Sequence, residues 1–193
     1  YRGVPQLIQY PDATSIAATV NATGTIASTT DENGYTTSYL YDPVGRMTKV
    51  THPTGDSTAW NATDITYAQV AGTEYGIPAG HWRQQVTTGN GTKVVYFDAL
   101  MRPLLTREYD SADLAGTERF VRTAHDHAGQ AIFTSYPSAS SAAPTGVATA
   151  YDALGRVLSV TQHSELGDLV TTTAYPASAF QTVVTNPRGN VTT

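Results

Sequence analysis

The sequence predicts an all-β chain built from repeated hairpins that share a sheet, and three observations predict it. An aromatic-Asp dipeptide recurs with a small or basic turn residue behind it. Tyr41-Asp42-Pro43-Val44-Gly45-Arg46-Met47 and Tyr151-Asp152-Ala153-Leu154-Gly155-Arg156-Val157 are full copies; Phe97-Asp98-Ala99-Leu100-Met101-Arg102 and His125-Asp126-His127-Ala128-Gly129-Gln130 are worn ones. The Asp positions stand 56, 28 and 26 residues apart, a period that marks stacked supersecondary units. The composition is that of strands and turns: Thr is the commonest residue, with 12 Tyr and 16 Gly, and long Leu/Glu/Lys-rich stretches are missing.

Taken in chain order, Thr30-Asp31-Glu32-Asn33-Gly34-Tyr35-Thr36-Thr37 aligns with Thr185-Asn186-Pro187-Arg188-Gly189-Asn190-Val191-Thr192. The first of these runs into a Tyr-Asp unit, so the second is expected to do so beyond Thr193, which makes the chain a fragment of a larger array. From Thr36 to Thr51 the larger apolar groups Tyr39, Tyr41, Met47 and Val50 are interrupted by Pro43-Val44-Gly45 and show no helical spacing, so the segment reads strand, turn, strand. Asp42 is expected to accept backbone N–H groups, Pro43 to preset its φ and Gly45 to supply a positive φ. The same hairpin is expected at Asp98, Asp126 and Asp152. Tyr before Asp and Arg after Gly flank each turn, with the Arg stem lying across the ring as one rung of a ladder.

Clear units are placed near 31–56, 92–109, 119–136 and 147–163, with a degenerate unit near 58–88, best represented by Thr63-Asp64-Ile65-Thr66-Tyr67, and a partial unit at 168–193. Asn33-Gly34, Asn90-Gly91 and Arg188-Gly189-Asn190 mark tight turns. Ala71 to Gly80 and Pro137 to Gly146 break the rhythm and read as loops, with mobility expected of them. Asp110 to Gly116 is open between one helical turn and a longer hairpin loop.

Charged residues at 14% and apolar ones at 40% support burial and argue against disorder. A net charge of -5 lacks the electrostatic footprint of a nucleic-acid binder, and no stretch is apolar for long enough to cross a bilayer. With no cysteine, stability rests on packing and on the strand ladder.

Tyr-Asp-x-x-Gly-Arg at this multiplicity resembles the signature of YD repeats, found in bacterial Rhs proteins, the C component of insecticidal toxin complexes, wall-associated bacterial proteins and animal teneurins. The structural motif residues are Tyr41, Asp42, Gly45, Arg46, Phe97, Asp98, Arg102, Asp126, Gly129, Tyr151, Asp152, Gly155 and Arg156. The resemblance implies hairpins wound into a spiral sheet, a hollow shell around a C-terminal toxin or other cargo, in an exported bacterial protein. Implied partners are the remainder of the polypeptide shell, that cargo, and a delivery or shell-closing protein. Asp42-Pro43-Val44-Gly45 superficially matches the self-cleaving core of that family, but Arg46 follows, and the segment reads as an ordinary repeat turn.

In a strand, His125 and His127 would share a face and reach one metal ion, yet Asp126 holds the turn position and no third ligand has a clear spacing. His52, His81 and His163 stand isolated. Asp31-Glu32-Asn33-Gly34 has the look of a calcium loop without the remaining ligands. No hydrolase elbow, zinc motif or phosphate loop occurs, so no catalytic, metal or cofactor residue is assigned and the chain is expected not to be an enzyme. A tyrosine face stacking on sugars, as in an extracellular adhesion module, is the alternative function; ladder packing accounts for the same residues.

Overall fold

The computed structural model of the chain describes residues 3–55, 57–177 and 180–193. The last residue of the 31–56 unit and two residues of the 168–193 unit lie outside that set. Sixteen strands follow one another as β1 (Leu7–Gln9), β2 (Ser15–Val20), β3 (Ile26–Thr30), β4 (Thr36–Tyr41), β5 (Met47–Thr51), β6 (Thr63–Gln69), β7 (Trp82–Thr88), β8 (Gly91–Phe97), β9 (Pro103–Asp110), β10 (Arg119–His125), β11 (Ala131–Ser135), β12 (Gly146–Tyr151), β13 (Val157–Gln162), β14 (Leu169–Ala174), β15 (Val183–Thr185) and β16 (Val191–Thr192). Each pairs antiparallel with its neighbours in sequence, giving one open sheet in the order β1 to β16. A helical turn α1 (Leu114–Thr117) sits between β9 and β10, with Asp113 capping it through the Gly116 N–H, which settles the open reading of 110–116.

A strict meander sends alternate turns to opposite edges. The turns after β4, β8, β10 and β12 carry Asp42, Asp98, Asp126 and Asp152 and therefore lie along one edge, two strands per unit. Asp31 and Asn186 stand in turns on the opposite edge, so the two families of sequence similarity are the two edges of the sheet. Position 70 is where the spacing of 28 requires the missing turn. There Val70 N donates to His81 O at 2.8 Å and Gly80 N to Val70 O at 2.7 Å, the same pair of bonds that Asp42 and Gly45 make with Arg46 and Asp42. The degenerate unit's turn is thus Val70 to His81, an inserted version of the five-residue turn. Thr63-Asp64-Ile65-Thr66-Tyr67, the sequence-based candidate, is part of strand β6 leading into it.

The insert folds onto one sheet face and makes an interior there. On that face Tyr96 pairs with Leu105 and Leu105 with Arg122, while Val94 pairs with Arg107 and Arg107 with Phe120. Ile77 from the insert closes over Val94, Tyr96, Leu105 and Phe120, with Tyr75, Leu104 and Tyr109 packed at the margin. The rings of Tyr75 and Tyr96 meet edge-on at 5.5 Å. From the opposite edge the 137–146 loop folds over β10: Phe120 N donates to Ser138 O at 2.7 Å, Ser138 N returns to Phe120 O at 3.0 Å, and Ala143 is buried. Both segments are loops, as expected, but they lie packed on the sheet rather than hanging free of it.

Elsewhere, among the described residues, no second layer covers the sheet. The accessible surface is 12381 Å², against about 8,900 Å² for a compact monomer of this mass.

Candidate functional site

The recurring Asp turns are the most regular feature of the molecule, and each is built the same way. Around Asp42, the backbone N–H of Asp42 donates to Arg46 O at 2.9 Å and that of Gly45 to Asp42 O at 3.0 Å. The carboxylate then takes the remaining donors. Val44 N and Arg46 N reach Oδ1 at 3.0 and 2.9 Å, and Arg46 Nε reaches Oδ2 at 2.7 Å. Asp98 and Asp152 repeat the set with Leu100, Arg102, Leu154 and Arg156. At Asp126, Gln130 N takes the place of the arginine N–H at 2.9 Å. The residue before each turn breaks register by one, as at Leu40/Tyr41, Tyr96/Phe97, Ala124/His125 and Ala150/Tyr151. That bulge needs a left-handed residue, which Gly45, Gly129 and Gly155 supply and Met101 supplies at φ 61°.

Loss of solvent contact acts to raise the Asp42 and Asp98 carboxyls, but the bonds from Arg46 and Arg102 and the turn N–H groups outweigh it and hold both below the usual carboxylate range. Asp152 is lowered chiefly by the Arg156 N–H. Such carboxylates are capping groups engaged in their own turns and are not paired acids converging on a substrate.

The arginine does more than close its own turn. Arg46 lies over the Tyr67 ring at 4.5 Å and Arg156 over the Tyr175 ring at 4.2 Å, each ring belonging to the following unit. Arg102 Nη1 donates to Asp126 O at 3.3 Å, and Gln130 Nε2 to Gly155 O at 3.1 Å. Tyrosine hydroxyls return the link: Tyr151 to Ala131 O at 3.1 Å and Tyr175 to Val157 O at 3.0 Å. This corrects the expectation of a Tyr–Arg rung within one unit. The rung joins successive units and staples neighbouring hairpins along the edge.

Three side-chain groups that sequence reading left without a role organise the centre. Arg122 donates from Nη2 to Tyr75 O at 3.0 Å and from Nε to Ser141 O at 3.1 Å, tying both covering loops to one strand. Arg107 pairs with Glu118 at 2.6 Å and lies over the Tyr109 ring at 4.4 Å. Buried His81 sets Nδ1 against Pro78 O at 2.8 Å and Nε2 against Glu74 at 3.2 Å, while Arg83 holds the other Glu74 oxygen at 2.8 Å. His81 occupies the arginine position of the inserted turn, a signal readable only once Val70 is recognised as its start.

His125 ends β10 whereas His127 lies exposed within the turn, so the two do not share a strand face. Asp31 spends its carboxylate on the N–H groups of Asn33 and Tyr35, both at 2.9 Å, as a turn cap. Among the described residues no group of three or more His, Cys, Asp or Glu is placed to hold a metal ion. No helix there is long and apolar enough to cross a membrane.

Fold and turns together define a hairpin-repeat protein that grows by adding units to one open antiparallel sheet. Residues 20–57 match the sequence model of the RHS Repeat family, spanning the turn after β2 through that of Asp42, which agrees with the resemblance carried by the Tyr-Asp motif. The structure is similar to that of a chain in the crystal structure of TcdB2-TccC3-TEV, with a TM-score of 0.59 at 13% identity over 98% of this chain and 12% of that chain. A chain of the Photorhabdus luminescens Tc holotoxin pore, bearing a mutated TccC3, aligns at a TM-score of 0.43 and 14% identity, over 98% of this chain and 11% of its own length. This chain therefore spans only a small part of the structures it matches. No curated protein sequence matches it.

Proposed function

We propose that the chain is a non-enzymatic wall segment of a larger exported bacterial shell that encloses a C-terminal polypeptide cargo. The observation that carries this reading is the uninterrupted nearest-neighbour sheet, sixteen strands in sequence order. Backbone donors and acceptors are consumed strand to strand, and turns are closed by their own Asp, so the sheet is a barrier that can be lengthened unit by unit. Likeness to a chain of a TcdB2–TccC3 assembly supports a wall of this build. The remainder of the shell, its cargo and a closing or delivery protein are the partners the reading requires.

Limited proteolysis of the full-length protein tests it. The segment downstream of the repeats is expected to resist proteinase K while the wall is intact and to be digested once Leu105→Asp opens the buried centre. Equal digestion of that segment with and without the substitution, in a protein whose sheet is shown to be folded, would count against enclosure.

A further inference from the structure

Among the described residues, four that are not glycine hold a positive φ: Ala13, Tyr75, Met101 and Ala143. Ala13 and Met101 stand at the glycine position of five-residue turns, where the turn itself explains them. The other two lie in the segments that cover the centre, Tyr75 at φ 50° in the 70–81 insert and Ala143 at φ 38° in the 137–146 loop. Tyr75 and Gly76 form the two-residue turn closed by the Glu74 and Ile77 bonds, a turn with both φ positive that favours Asn, Asp or Gly. A tyrosine and an alanine stay in this conformation only where their surroundings hold them there.

What holds them is shared. The Tyr75 ring packs on that of Phe120 at 5.2 Å, and its carbonyl accepts from Arg122 Nη2 at 3.0 Å. In the other segment Ala143 is buried, Ser141 O accepts from Arg122 Nε at 3.1 Å, and Ser138 exchanges two backbone bonds with Phe120. Two strained segments, rooted at opposite edges of the sheet, thus converge on two residues of β10 that stand two positions apart on one face.

We infer that the insert and the 137–146 loop are the two leaves of one lid, each sprung by its own left-handed residue, and that Arg122 latches them so that they open together. Both bonds that its guanidinium makes among the described residues go to leaf carbonyls, and both leave from one rigid plane. When either leaf lifts, a half-buried charge loses an acceptor. The guanidinium then turns toward water and draws its second bond away from the other leaf. Opening bares Val94, Tyr96, Leu105 and Phe120 in one event, a local unfolding confined to the centre. The inference holds whatever the wall encloses.

Hydrogen exchange read by mass spectrometry on the full-length protein tests it, with rates corrected for sequence, on peptides covering 70–81, 136–146 and, as a control, β13. Ala143→Gly relieves strain in one leaf only and is expected to slow exchange about fivefold in both leaves while leaving β13 unchanged. Ile77→Val loosens the packing of the other leaf alone and is expected to speed exchange in both, because coupling between two sites is reciprocal. Arg122→Lys keeps the charge and most of the stem but offers one ammonium to two carbonyls. In that background Ala143→Gly is expected to slow the 136–146 peptides alone. Slowing confined to 136–146 in the parent protein, or speeding by Ile77→Val confined to 70–81, overturns the inference. So does an equal change in β13, which would make the event global, or coupling undiminished in Arg122→Lys, which would take the latch away from Arg122.

Discussion

Strands β12 to β16 and strands β7 to β10 are made from the same hairpin, yet only the second group has an interior. In β14 and β16 no residue is buried, whereas in β8 Thr92, Val94 and Tyr96 are buried in alternation. The difference lies in two turns that grew. Val70–His81 came over the sheet from the Asp edge and the 137–146 loop from the other, and Arg122 fastened both. A single-layer sheet can thus acquire a core without a second sheet, by lengthening two turns over one face. The ends rely instead on nearest-neighbour ladders and the staples between turns, as in other quasi-one-dimensional repeats.

The strongest way to break the comparison is to make the same substitution in both regions. Leu105 is 1% exposed beneath Ile77 and Tyr96, and Leu40 is exposed in β4. Leu105→Ala is expected to destabilise by about 3 kcal/mol in a denaturant titration, and Leu40→Ala by about 0.5 kcal/mol or less. Equal losses would mean that the centre is no better packed than the ends.

A smaller effect distinguishes turns of identical design. Met101 at φ 61° occupies the left-handed position that Gly45 fills at φ 87°. With no neighbour within 4 Å of a Cβ added at Gly45, its constraint is conformational alone. Met101→Gly is expected to stabilise by about 1 kcal/mol, and Gly45→Met to destabilise by a similar amount. Thermal melts of the two variants check this; shifts of the same sign would show that the turns are not equivalent.

The turns were legible in the sequence because their determinants are local: Asp42 bonds to residues two and four positions on, and Gly45 answers a backbone requirement inside the same turn. The repeat period likewise placed successive hairpins in one sheet. The centre was not legible, because Arg122 finds its partner Tyr75 at a separation of 47 residues and nothing near Arg122 announces it. The Val70 turn was hidden for a different reason. Neither its Asp nor its spacing to glycine survived, and only the two backbone bonds reveal it. The staples between units fell in between: the Tyr and Arg types were readable, but which ring each arginine covers depends on how hairpins stack.

Acid weakens the Asp turns of both regions, Asp98 in the centre included, whereas the centre also carries a group that alkali weakens; these effects are the smallest because the Asp groups lie near solvent. Asp42, Asp98 and Asp152 are held below their ordinary value of 3.8. A depressed carboxyl contributes fully above that value, and its contribution is lost as pH falls through the lower folded-state one. Tyr96 runs the other way. Burial, followed by the neighbouring Tyr75 and Glu74, pushes it from 10.0 up to about 12, so its contribution is complete below pH 10 and lost as pH rises toward 12. Amide hydrogen exchange, corrected for the intrinsic rate at each pH, should therefore show acid loosening first the hairpins β4–β5 and β12–β13, whose turns are capped by Asp42 and Asp152, while β8–β9 stays protected. Alkali should loosen the middle of β8–β9, around Tyr96, before those hairpins. If acid instead released the centre first, the staples and not the covering loops would be what holds it closed.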